Sequence, residues 1–266
     1  MKRDSILFAY RSWKEQIKSI DFWIVQLCIF VFFSINCMES GKLLYENGGT
    51  IGIFASLPVL MTNEDFMLII MAGFLMIICD IPVMRENRIF SVVRSDRLSW
   101  FVSQFLYSVL MSATYLVSIF FYSIVFYIRN ILFNLQWGES VEDGSAFLAG
   151  SIVYDDSLLT RSPLFMIMGV LIILTLLCVF FAMLCCVSNM MTESGIGVGL
   201  CAVFIIAERL TKTFEVNLGF LSPVGMLKNF YSTDGTNIFP IICYFVFLVV
   251  LLMILGMKTL QKTNIN

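Results

Sequence analysis

The residues best suited to chemistry in this chain are arginines. Arg85, Arg88, Arg94 and Arg97 fall on a three-residue grid with Ser91 at the vacant position, which is the spacing of a voltage-sensor helix. A voltage sensor holds its arginines inside an apolar span, whereas here Glu86, Asn87, Ser95 and Asp96 are interleaved just beyond the end of one, where exposed charge costs little. Ile89, Phe90, Val92 and Val93 share the segment. A loop that meets only water has little use for them, so a surface for docking a partner fits the mixture better than a gating charge or a purely solvated face.

A second set of polar residues lies inside an apolar run. Gln104, Ser108, Ser112, Tyr115, Ser118 and Tyr122 fall on one narrow arc of a helical wheel, and such an arc in a membrane is turned away from lipid. It either bonds to neighbouring helices, at about 0.6 kcal/mol per contact, or lines a polar route, with packing the simpler account. Gly195 and Gly199 form a GxxxG pair that would let two backbones approach closely. Glu208 and Arg209 are either salt partners at an interface or part of a gate. Asp80, two residues before Pro82, reads as a carboxylate reaching the membrane surface, with proton coupling as the less economical alternative.

Much chemistry is excluded. The chain has no histidine, which removes Ser-His and Cys-His catalysis and the HExxH zinc site. It has no GxxxxGK[ST] phosphate loop either, so the chain does not use ATP by that route and is not expected to be an enzyme. The eight cysteines sit in or beside apolar runs without a CxxC pair and read as small apolar side chains rather than metal ligands. No bound metal, no cofactor of its own and no nucleic-acid partner are expected.

The elements that must position these residues follow from composition. Of the 266 residues 59% are hydrophobic and 14% charged, with a mean hydropathy of +0.89, against about 25% charged in a soluble domain. Apolar runs at about 22–38, 66–84, 99–128, 164–188, 195–211 and 239–257 are each near the ~20 residues of a membrane crossing, which predicts an all-α membrane protein with six transmembrane helices. Residues 1–21 are not read as a cleavable signal. Ile6, Tyr10, Trp13, Ile17 and Ile20 recur at helical spacing opposite Arg11, Lys14, Glu15 and Lys18, as in a helix lying in the membrane interface. The expected organisation is therefore a cytoplasmic interfacial helix, 1–21, and a single six-span domain, 22–266.

An even number of spans puts both termini on one side. Placing them in the cytoplasm leaves eleven of the 17 basic residues inside and six outside, namely Lys42, Arg129, Arg161, Arg209, Lys212 and Lys228, as the positive-inside tendency favours. The outer segments would be 39–65, broken by glycines and Pro58 and read as re-entrant or surface-lying; an acidic loop at 129–163; and 212–238. In the last, Leu221, Ser222, Pro223, Val224 and Gly225 break two apolar arms, as in a hairpin dipping back into the bilayer. The short connection at 189–194 predicts adjacent, antiparallel fourth and fifth spans.

This order of elements, the run from Cys79 and Asp80 through Arg94, Ser95, Asp96, Arg97, Leu98, Ser99 and Trp100, and Leu221, Ser222 and Pro223 before the last span resemble the type-2 class of ATP-binding-cassette (ABC) exporter permeases. The likeness is to small bacterial members associated with peptide or antibiotic export and self-immunity, and it spans essentially the whole chain. It implies a coupling loop at about 83–99 that seats Arg85, Glu86, Asn87, Arg88, Ile89 and Phe90 in a cleft of a cytoplasmic ATPase subunit. It also implies a re-entrant hairpin before the last span, with Glu208, Arg209, Leu221, Ser222 and Pro223 at an outer gate. ATP and Mg would be bound by a dimer of that partner ATPase, and the permease would pair with a second copy or a sister permease in the bacterial cell membrane. The long acidic loop departs from the compact outer connections of many such permeases. A non-transporting membrane protein that sequesters a peptide through that loop is the alternative from a different class.

Overall fold

The computed structural model describes residues 2–46, 48–61, 64–82, 97–142, 159, 161–192, 195–213, 223, 230 and 238–262. Each of the six apolar runs forms a helix: α2 (Ile20–Glu46), α4 (Glu64–Ile78), α5 (Arg97–Tyr127), α7 (Pro163–Met191), α8 (Ile196–Thr213) and α9 (Ile238–Lys262). Three further helices, α1 (Lys2–Ile17), α3 (Ser56–Met61) and α6 (Glu139–Glu142), and two strands, β1 (Ile51–Gly52) and β2 (Ile131–Leu132), complete the described elements. Three helices, α5, α7 and α9, are long and apolar enough to cross a membrane, and a fourth span arises if α1 and α2, bent by 60°, count as one. The apolar stretches Phe66–Ile78 of α4 and Ile196–Ala207 of α8 are shorter.

The bundle is built around α7. Of its most apolar stretch 72% is buried, against 33% for α5 and 22% for α9, and it packs against α9, α5, α8, α4 and α3. Its start is locally encoded: the Ser162 side chain accepts a hydrogen bond from the Phe165 amide at 3.3 Å, and Pro163 occupies the first turn, where its missing N–H is no loss. Helices α7 and α8 are adjacent and antiparallel, with Gly197 against Cys185 and the Cys201 thiol donating to the Phe181 carbonyl at 3.4 Å.

The N-terminal helix leaves much of its apolar stripe exposed. Ile6 and Tyr10 are exposed, as is Ile20 just beyond, whereas Ser5, Ala9 and Ser12 are buried where α1 packs along α5. Small residues let helix backbones approach, and in a membrane packing rather than hydrophobicity selects the buried face. Trp13 fixes the contact by donating from Nε1 to Thr114 Oγ1 at 2.8 Å.

The segment between α2 and α4 and that between α5 and α7 are stitched together. Ile51 pairs with Ile131 and Gly52 with Leu132 in a short parallel ladder, and the following α3 is buried along its whole length. Of the segment 39–65, residues 39–46 continue α2, and what is described after them is a paired strand followed by a buried helical turn and a half.

Candidate functional site

Two polar assemblies occupy opposite ends of α7. Near its start Arg161 is the anchor. Its guanidinium lies over the Phe230 ring at 5.0 Å and donates to the Phe230 carbonyl at 3.3 Å, while its own carbonyl accepts from Trp137 Nε1 at 2.7 Å. Phe230 is buried against Gly169, where any Cβ would collide with the ring. Burial pulls the guanidinium pKa below its ordinary value; the group stays charged throughout the physiological range, which makes its stacking on Phe230 a lasting cation–π contact. Residues from 129–163 and 212–238 are in this way held on one helix end.

The strand pair extends this cap. Gly52 donates to the Trp137 carbonyl at 2.8 Å, and Ser140 donates to the Thr50 carbonyl at 3.1 Å. Asn130 Nδ2 donates to the Gly49 carbonyl at 2.7 Å. Gly138 has φ +92 and sits against the Thr50–Gly52 backbone, a position where a side chain would be strained and obstructed.

About 40 Å away, at the other end of α7, Asn189 is a clasp. Its Nδ2 donates to the Ile81 carbonyl at 2.6 Å. Its Oδ1 accepts from the Gly195 amide at 3.2 Å and the Gly197 amide at 2.9 Å, meeting N–H groups at the start of α8 that lack intrahelical partners. One side chain thereby joins the chain beyond α4, the end of α7 and the beginning of α8. Asp80, beside this clasp, is exposed.

Most of the polar arc of α5 is buried, with Ser118 and Tyr122 half-buried. Gln104, Ser108, Ser112 and Tyr115 are each at most 1% exposed. Ser108 donates to the Gln104 carbonyl at 2.8 Å and Ser112 to the Val109 carbonyl at 2.9 Å, while Tyr115 reaches across to the Ile70 carbonyl of α4 at 2.6 Å. Tyr122 donates to Gln26 Oε1 of α2 at 2.8 Å. Tyr115 and Tyr122 thus each tie α5 to a neighbouring helix.

Other expected site residues are scattered. Arg85, Glu86, Asn87, Arg88, Ile89 and Phe90 lie outside the described residues, as do Leu221 and Ser222. Pro223 is buried in a turn and Arg209 is exposed on α8, which also carries Glu208. Within the chain, Gly195 and Gly199 do not form a close-packed pair. A Cβ at either would meet nothing within 4 Å, whereas one at Gly197 would lie 2.5 Å from the Cys185 carbonyl oxygen. Gly195, with φ +103, precedes α8 and serves its turn, so the glycine between the two makes the contact.

Asn189, Arg161 and Phe230 were not singled out by sequence. For Asn189 the available signal was an amide side chain a few residues before a glycine-rich helix start. Among the described residues no group of histidine, cysteine or acidic side chains is arranged to hold a metal ion. Comparisons with protein-family models, curated proteins and solved structures find no match to this chain.

Proposed function

We propose that this chain is the membrane-spanning permease subunit of an ATP-driven exporter of the ABC type, moving a peptide, antibiotic or other amphipathic compound. The observation that carries the reading is the Asn189 clasp. The basic, partly apolar connection 83–96 leaves the chain just beyond Ile81, whose carbonyl Asn189 holds together with the start of α8. A push on that connection by an ATPase would be passed to two packed helices at once. In this reading all six apolar helices cross the membrane, the clasp end and both termini are cytoplasmic, and the Arg161–Phe230 cap closes the outer end of the route. In this reading, since the chain has no phosphate loop, ATP and Mg would be bound by a separate ATPase dimer.

Two measurements test this. Extraction of the chain from its native membrane in mild detergent, followed by identification of bound subunits, is expected to recover an ATP-binding-cassette protein together with a second permease copy or a sister permease. Recovery of the chain alone under conditions that preserve other membrane complexes would overturn the assignment. A reporter active only in the cytoplasm, fused after Asn266, is expected to be active, and an inactive but stably expressed fusion would overturn the topology.

A further inference from the structure

The ends of α2 and α5 nearest the cap are tied at two levels and separated between them. Below, Tyr122 bonds Gln26, and Phe30 packs on the Tyr122 and Phe126 rings at 5.4 and 5.3 Å. Above, Asn130 Nδ2 bonds the Gly49 carbonyl. Between the ties lies a cavity of about 650 Å³ lined by residues including Ser34, Lys42, Tyr45, Phe126 and Arg129, within the size range of small-molecule sites.

The charges in it are distinctive. The Arg129 guanidinium lies over the Tyr45 ring at 5.7 Å and makes no ion pair with a described carboxylate. Among the described residues Lys42 has one loose partner, Glu46 at 3.8 Å, with the two side chains 74% and 55% exposed. Among its described lining residues, two cations stand against one carboxylate. Its lip is apolar and open, since Val125 and Ile128 are exposed. Arg129 follows two residues after Tyr127, the last residue of α5, one of the helices able to cross a membrane. A cation just past a span end sits at headgroup height, and the exposed Val125 one turn back faces hydrocarbon.

We propose that this cavity binds the phosphate headgroup of an anionic membrane lipid, with Arg129 and Lys42 on the phosphate and an acyl chain along Val125, Phe126 and Ile128. A phosphate offers the acceptors a guanidinium matches in pairs, and only a molecule with a long apolar tail uses both the cations and the membrane-facing lip. The inference requires α5 to be a span and is independent of the transport reading.

The test is native mass spectrometry of the full chain released from vesicles of equal parts phosphatidylglycerol, phosphatidylcholine and diacylglycerol. Phosphatidylglycerol is expected to be retained preferentially, and Arg129→Gln combined with Lys42→Gln to reduce its retention about tenfold. Val125→Trp, which narrows the lip without touching a charge, is expected to reduce it as well, while both variants keep the elution profile of the wild type. Equal retention of diacylglycerol, or unchanged retention in both variants, would overturn the proposal. Complete displacement by millimolar inorganic phosphate would assign the site to a soluble anion, and preferential capture of an acidic amphipathic peptide would assign it to a peptide; either result also overturns it.

Discussion

Gly197→Leu is expected to break the pairing of α7 with α8, lowering stability by on the order of 3 kcal/mol or more, while Gly199→Leu leaves it within about 1 kcal/mol. The same chemical change thus has opposite consequences two residues apart. At Gly197 the first added carbon would lie 2.5 Å from the Cys185 carbonyl oxygen and 2.8 Å from the Asn189 side-chain oxygen. The first is backbone and cannot turn aside; the second is the atom that accepts the Gly195 and Gly197 amides. Moving α8 away to make room therefore also undoes the clasp, leaving amides unsatisfied at a cost of about 1–3 kcal/mol each where they are buried. At Gly199 the added carbon meets nothing, and replacing a helix glycine recovers up to about 1 kcal/mol of helix propensity. Unfolding of the purified variants in graded denaturing detergent measures the difference. Equal stabilities would show that Gly197 does not carry the α7–α8 contact. Normal stability of Gly199→Leu accompanied by lost activity would place Gly199 against a second permease.

The glycines also show where sequence reasoning stops. Three of them, at 195, 197 and 199, announce a close approach, but at ~100° per residue positions two apart point to nearly opposite sides of a helix. Which one meets a neighbour depends on the rotation of α8 about its axis, and that is set by α7 and Asn189 rather than by local pattern. The apolar runs were legible as helices from their length and composition, and three of them, α5, α7 and α9, are long and apolar enough to cross a membrane. The face of α1 was not, since within a membrane an apolar stripe satisfies lipid as well as protein, and the packed side belongs to Ser5, Ala9 and Ser12. The β1–β2 ladder pairs Ile51 with Ile131, and strands two residues long offer no alternation to read. Phe230 was hidden because its seat is Gly169 and its clamp is Arg161, both far away in the sequence.

Charge reversal in the basic connection has the second large expected effect. Under the permease reading, Arg85→Glu with Arg88→Glu is expected to release the ATPase or leave ATP hydrolysis running without transport. Both arginines lie beside Ile89 and Phe90, so a partner that covers the apolar pair also desolvates the charges and must supply acceptors for them. Truncating one member of such a desolvated pair costs roughly 2–5 kcal/mol. Reversing two sets carboxylates against the partner's acceptors, and every ~1.4 kcal/mol is tenfold in affinity, so retention of the ATPase should fall by at least about a hundredfold. Insertion of the chain should survive, because these residues lie outside the apolar runs. Arg85→Lys with Arg88→Lys keeps the charge but loses the planar fork, and should retain the complex with reduced coupling. The measurements are ATPase co-purified per permease, and transport per ATP hydrolysed in vesicles. A double reversal that holds its ATPase and transports at the wild-type ratio would remove this connection from the docking surface and leave the clasp at Asn189 with nothing to transmit.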